Sequence, residues 1–348
     1  MVTIKDIADM ANVSTTTVSN VIHGKTEKMS PATRDRVEQI LKEQNYITNM
    51  GARMIASNRS HLIGVIINNP HTEDKNALQD PYTSELLGAM ERTIRANGYY
   101  MLTYIAEKEQ TVTGHLDSAI KMAQSWKVDG LILLGLDTQE SELLLDALQI
   151  PLVFLDSFCK NPACINVGVD DESGGYQVTK CLLENGHRNI CFLADRKDPI
   201  DVDGARLQGH KRALKEYGLE FSREDIFPLP RGREKRMQML EKLLEKLDRY
   251  TALLFTSDYY AYDAMQFFQK KGLRIPQDIS ITGFDDNFFS QIVTPPITTV
   301  HQDVSEKGKI AAQKLLEMIE GDSSRQKSCI LPVHLVQRNS VKCLDKTR

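Results

Sequence analysis

The chain of 348 residues has no apolar run approaching 18 residues, so no membrane-crossing helix is expected. Its start has no charged-then-apolar leader pattern, and a cytoplasmic protein is expected. The six cysteines (159, 164, 181, 191, 329 and 343) form no C-x-x-C pair and no zinc-type grouping with histidine. They read as reduced thiols, with no bound metal and no cofactor. The motifs GxxxxGK[ST], GxSxG and HExxH are all absent and the histidines are scattered, which removes the enzyme classes that depend on them; the chain is not expected to be an enzyme. Gly174-Gly175 reads as a tight turn rather than a phosphate cradle. An overall excess of basic charge is missing too, the net charge being −4. Its distribution is informative: residues 1–60 hold eight Lys/Arg against six Asp/Glu, leaving −6 on the remainder. A mildly positive head on an acidic body fits contact with a polyanion through the head alone.

That head contains Thr3–Gly24, two short helical patterns joined by a tight turn. Thr3 and Asp6 form a capping box, and Ile4, Ile7 and Ala8 share one helical face. After Ala11-Asn12-Val13, Ser14 caps a second helix whose buried stripe is Val18, Val21 and Ile22. Thr15, Thr16, Thr17, Ser19, Asn20 and His23 are left pointing mostly outward. Threonine is a mediocre helix former, so this face runs against local propensity, a conflict that marks function more often than chance. Short hydroxyls and an amide suit a DNA major groove, where Thr donates, accepts and touches a thymine methyl and Asn pairs with an adenine edge. Ser30-Pro31 opens a supporting third helix with Val37, Ile40 and Leu41 inward. Residues 47–60 carry a small apolar stripe (Ala52, Ile55, Ala56) behind a possible Asn49 cap, too short for a stable isolated helix.

From Leu62 onward, Val/Ile/Leu runs alternate with helical stretches: 62–67, 101–105, 130–135 and 152–156, then again 167–171, 190–194, 226–229, 252–258 and 279–286. Such runs predict an α/β chain with two doubly wound lobes of parallel sheet, helices on both faces. A further strand at 297–302, a helix through Glu320 and a last strand near 330–338 close the chain. Doubly wound sheets bind ligands beyond their strand C-termini. Asp156, Ser257, Asp258 and Asp285 stand there, with Arg206 in the loop-to-helix stretch DVDGARLQG. Carboxylates facing a guanidinium suit the paired hydroxyls of a sugar.

The run Val13-Ser14-Thr15-Thr16-Thr17-Val18-Ser19, with Thr3-Ile4-Lys5-Asp6-Ile7-Ala8, resembles the headpiece of the lactose-repressor (LacI/GalR) family, and the resemblance extends over nearly all the chain. It implies a helix-turn-helix headpiece (1–47), a hinge helix (48–60) and a periplasmic-binding-protein-like effector domain (61–342). Lobe 1 would span about 61–160 and 291–321, and lobe 2 about 161–290 and 322–342, with crossings near 160, 290 and 322. By the same resemblance Asn49 opens the hinge helix, and Ile55 wedges into a central base step of the operator minor groove. The motifs A-R-L-x-G and G-F-D-D carry the family's effector-site Arg and Asp onto Arg206 and Asp285, and Asp80-Pro81-Tyr82-Thr83 stands where members show N-P-F-F, so that Tyr82 can stack on a sugar. The chain departs in carrying Asn20 where many members have Arg, and Ser257-Asp258 where Asn-Asp is common. The expected function is a homodimeric repressor of carbohydrate genes, bound to a pseudo-palindromic operator and released by a small sugar. The chain's end at VKCLDKTR, without the leucine-heptad helix of tetrameric members, favours the dimer. Two alternatives remain: a corepressor-dependent regulator, taking a purine or a phosphorylated carrier protein, and a plain sugar-binding protein.

If Asn20 reads a base edge, Asn20→Ala weakens operator binding by about 1–3 kcal/mol and relaxes preference at one symmetric base pair. Binding measured on base-substituted operators checks this; unchanged ratios would remove Asn20 from the readers.

Overall fold

A computed structural model of the chain describes residues 2–22, 24–27, 29–46, 59–69, 77–107, 114–157, 159, 161, 164–230, 232–321 and 327–344. His23, Asn49 and Ile55, with most of the expected hinge helix, lie outside the described residues. The chain divides into two compact units, Met1–Ser60 and His61–Arg348.

In the first unit, helices Ile4–Ala11, Thr15–Ile22 and Pro31–Glu43 enclose a core of Ile7, Ala8, Ala11, Val18, Val21 and Val37. The local signals act as read. Thr3 and Asp6 make both bonds of the capping box, and Ser30 caps the third helix with Pro31 in its first turn. Asn12 stops the first helix in the left-handed region at φ 50°, a conformation that Asn tolerates better than most residues.

The second unit contains strands β1 (Leu62–Asn69), β2 (Tyr100–Glu107), β3 (Gly130–Leu134), β4 (Leu152–Leu155), β5 (Ile165–Val169), β6 (Ile190–Ala194), β7 (Ile226–Pro228), β8 (Ala252–Phe255), β9 (Ser280–Thr282), β10 (Thr299–His301), β11 (Cys329–Leu331) and β12 (His334–Val336). A six-stranded parallel sheet has the order β11-β5-β4-β3-β1-β2, and a four-stranded parallel sheet the order β7-β6-β8-β9. Antiparallel β10 and β12 extend the second sheet through a bridge from Thr282 to Thr298. Both faces of each sheet are covered. Ile63, Val65 and Ile67 enter one core and Ile66 the opposite one; Cys191 and Leu193 alternate in the same way with Ile190 and Phe192. That two-sided burial is why the strands read as unbroken apolar runs.

The pairing moves the expected crossings. Residues 165–169 lie beside β4 in the first sheet, so the chain leaves lobe 1 after Val169 rather than near 160. It returns after His301 rather than near 290, since β10 pairs with β12 on lobe 2, while helix Val304–Glu320 packs into the first lobe's core. The single last strand expected near 330–338 is two, broken at Pro332: β11 completes the first sheet, and β12 joins the second. Proline has no N–H to continue a ladder, so the third crossing falls there rather than near 322.

Two smaller readings are also corrected. Cys159 and Cys164, expected as thiols, are joined in a disulfide, the turn between β4 and β5 bringing their Cα atoms to 6.4 Å. Gly174 and Gly175 make no turn; they lie inside helix Asp171–Glu184, buried. A Cβ on Gly175 would stand 2.1 Å from the Arg206 carbonyl oxygen, and one on Gly209 2.0 Å from that of Glu172. These two glycines let helices Asp171–Glu184 and Asp201–Glu216 approach backbone to backbone. Gly175→Ala should therefore destabilise the second unit by about 1–3 kcal/mol, read from denaturant unfolding of the full chain.

Candidate functional site

In the headpiece, Ser14, Thr15 and Thr16 are exposed, while Thr17, Ser19 and Asn20 are half-buried along the same helix. Ser14 accepts from the Thr17 N–H at 3.1 Å, and the two hydroxyls are 2.9 Å apart. Ser14 is thereby spent largely on capping, and Thr15, Thr16 and Asn20 keep their side chains available.

In the second unit, a cavity of about 700 Å³ opens at the C-terminal ends of the two sheets. Of the expected effector residues, Tyr82, Asp156, Arg206, Ser257 and Asp285 all line it. Arg206 is buried and donates through Nε to Asp171 at 2.8 Å, through a second nitrogen to the same carboxylate, and to the Thr256 carbonyl; its guanidinium lies 3.6 Å from the Phe284 ring centre. Burial works against its charge, but Asp171, Asp285 and Asp203 more than offset that and raise its pKa. A guanidinium has five N–H groups, so two are left to face the cavity. Asp171 is raised by burial, which Arg206 opposes.

Opposite Arg206 runs a continuous polar chain. Tyr82 donates its hydroxyl to Asp156. Lys307, fully buried on helix Val304–Glu320, donates to both Asp156 oxygens at 3.1 and 2.9 Å and to the Gln302 carbonyl at 2.7 Å, which uses all three ammonium protons. Because lysine can only donate, the Gln302 oxygen must face it. The Gln302 amide nitrogen is then turned to Asp285, at 2.7 Å. The second Asp285 oxygen accepts from Ser257 at 2.9 Å. One wall of each lobe is thus tied to the other through the crossing segment. Each carboxylate is held by donors and keeps lone pairs for a ligand hydroxyl. Burial raises the Asp285 pKa, while Arg206, Ser257 and Gln302 pull it down.

Asp258, expected among the effector contacts, is a correction. It is fully buried behind the lining, and its oxygens are taken by the Asn287 N–H at 3.1 Å and the Thr299 hydroxyl at 2.6 Å. Burial, then the charge of Asp285, pushes its carboxyl well above the ordinary range. Ser257 keeps a lining position but caps helix Asp258–Lys270 with the oxygen whose proton goes to Asp285. Lys307 and Gln302 were missed by sequence reading: one lysine in an amphipathic helix looks solvated. Three cavity-lining aspartates, Asp156, Asp201 and Asp285, have φ of 47°, 55° and 120°. Non-glycine residues rarely sit there, and such strain gathers at ligand sites.

The chain matches the family model described as bacterial regulatory proteins, lacI family, over residues 3–49, and that of a periplasmic binding protein-like domain over 179–341. It is 33% identical over 343 residues to the HTH-type transcriptional repressor PurR of Aliivibrio salmonicida, covering 98% of this chain and 99% of that one. The chain belongs to the lacI family of bacterial regulatory proteins. It is also 30% identical to the ribose operon repressor of Haemophilus influenzae, over 99% of this chain and all of the other. The solved lac repressor dimer bound to operator and the anti-inducer ONPF superposes with a TM-score of 0.82 at 28% identity, over 98% of this chain and 99% of that one. As a lacI-family member the chain is a DNA-binding transcriptional repressor, and these relatives are regulators, not enzymes. Among the described residues no helix is long and apolar enough to cross a membrane.

Replacing Lys307 by Met keeps the side chain's length and strips the half-buried Asp156 carboxylate of its counter-charge, leaving it the Tyr82 hydroxyl. Lys307→Met should cost about 3–5 kcal/mol, and adding Asp156→Asn should restore a large part of it by removing the unpaired charge. Denaturant unfolding of the three variants measures the coupling; additive losses would show that the pair does not interact.

Proposed function

We propose that this protein is a cytoplasmic, homodimeric repressor of carbohydrate genes that binds a pseudo-palindromic operator and is released by a small neutral sugar held between the lobes. The observation that carries this is the cavity's paired chemistry: two Arg206 N–H groups on one side, and on the other the carboxylates of Asp156 and Asp285, kept as acceptors by Lys307, Gln302 and Ser257. Vicinal hydroxyls both donate and accept, and satisfy such a set without leaving a buried group unpaired. Tyr82 supplies an aromatic edge. Asp137, Glu140, Asp195, Asp201 and Asp203 also line the cavity, outnumbering its cations Arg196 and Arg206, a balance that disfavours a sugar phosphate.

Thr15, Thr16 and Asn20 are the base-reading residues of this proposal, and Ile55, one from each subunit, the minor-groove wedge. Phe288, Phe289 and Ile292 are exposed on one short helix, an apolar face of the kind a second copy covers. Effector binding closes the lobes and melts the paired hinge segments. The relatives named PurR favour a second reading, in which a purine is a corepressor. The sign separates the two, since an inducer weakens operator binding and a corepressor strengthens it.

A thermal-shift screen of sugars and purine bases, followed by operator titration with and without the hit, tests both. Linkage requires reciprocity: if the ligand lowers operator affinity tenfold, operator lowers ligand affinity tenfold, about 1.4 kcal/mol of coupling. Asp285→Ala should bind operator as before and lose the response. A normal response from that variant would refute the site, and tighter DNA binding on adding ligand to the unmodified protein would select the corepressor reading.

A further inference from the structure

The ladder of β10 and β12 sets two histidines directly opposite one another. β10 ends on His301 and β12 opens on His334, and the two are Cα partners in the antiparallel register. Side chains of such partners stand on one face of the ladder. Here the imidazole rings lie 4.7 Å apart between centres, tilted by 40°. His301 is half-buried and His334 is exposed, so water reaches the pair. Strand pairing, rather than any spacing in the sequence, brings them together.

The His301 ring is oriented from behind. Its Nδ1 stands 3.0 Å from an Asp286 carboxylate oxygen. A carboxylate only accepts, so Nδ1 carries the hydrogen and Nε2 of the neutral ring keeps a lone pair. Arg338 donates to the other Asp286 oxygen and, at 2.9 Å, to the Ile297 carbonyl, which holds the carboxylate in place. A carboxylate on the far nitrogen is the arrangement that fixes the tautomer of metal-binding imidazoles and raises their basicity. A tetrahedral zinc shell places two ligated nitrogens roughly 3.3 Å apart, which rings at this separation reach by a turn of the exposed His334 side chain. Among the described residues no three His, Cys, Asp or Glu side chains group as a metal site, so the chain supplies two nitrogens and water the remaining positions.

We propose that His301 and His334 form a site for a divalent late first-row transition ion such as Zn²⁺, bound through two imidazole nitrogens and open to water. Nitrogen ligands select this class over magnesium and calcium, which take oxygen. The place of the pair in the fold gives the ion a structural output. The chain returns to lobe 1 directly after His301, through Gln302, and re-enters lobe 2 at Pro332, just before His334. An ion on both rings ties the second crossing to the third, and stiffens the junction from which Gln302 reaches Asp285.

The test titrates the tag-free full chain, its accessible thiols (exposed Cys343 among them) alkylated, with Zn²⁺ and separately with Mg²⁺ in a calorimeter. Zn²⁺ should fill a site that His334→Ala and His301→Asn each weaken about tenfold or more, and Mg²⁺ should leave it unfilled. His334 is exposed, so its loss leaves the core intact. Asn at position 301 keeps a donor toward Asp286 while removing the nitrogen that faces the ion. On adding Zn²⁺, hydrogen exchange should slow in the segments around 301 and 334, and not in His334→Ala. No Zn²⁺ site in the unmodified chain would overturn the proposal. So would a site that either variant keeps at full strength, an equal response to Mg²⁺, or protection that falls elsewhere in the chain.

Discussion

The second unit depends on one buried cation. Lys307 comes from the helix that returns the chain to lobe 1, and it meets Asp156 at the end of β4 and Gln302 in the crossing segment. Taking an ammonium out of water is expensive, and the cost is offset only when each proton has an acceptor. Here each has one. The pairing consequently fixes more than its own geometry: it orients an amide, the amide holds Asp285, and Asp285 holds Ser257. A cavity assembled this way is pre-organised before any ligand arrives, because its acceptors cannot rotate away without orphaning a buried charge. It is also sensitive to lobe movement, since the chain of bonds spans both walls.

How much of this was legible follows from the range of the interactions involved. The headpiece was read almost whole because its signals are local: Thr3 with Asp6, Ser14 with Thr17, Ser30 with Pro31 lie within three residues of one another. Strands were legible as elements because burial on both faces leaves continuous apolar runs. Their partners were not, since a run such as 165–169 is equally apolar in either sheet, and only the closed structure shows that it pairs with 152–155 and 329–331. Among site residues, Arg206 and Asp285 were reached through motif resemblance and line the cavity, whereas Asp258 sits next in sequence to a lining residue and points into the protein. Lys307 carries no sequence signal at all, because its meaning lies in Asp156, a contact 151 residues away.

The glycines of the chain are of two kinds, required by near or by distant neighbours. Gly24 and Gly98 have positive φ and are required by their own turns. Gly175 and Gly209 are helical and are required by another helix's backbone. A pattern reader sees two adjacent glycines as a break; the packing shows them as the point where two helices touch and where the Arg206 carbonyl would collide with any side chain.

The crossing at Pro332 has a consequence for synthesis. The first sheet ends in β11, which enters between Asn166 and the outside only when residues 328–331 exist: Ser328 accepts from the Asn166 N–H, and Leu331 accepts from Asp170. Nearly the whole chain must therefore leave the ribosome before lobe 1 can be completed. Until then β5 is an open edge of a parallel sheet with Val167 and Val169 along it, the kind of surface that recruits stray strands. The architecture that gives the repressor its hinge also gives the nascent chain a long interval of exposure.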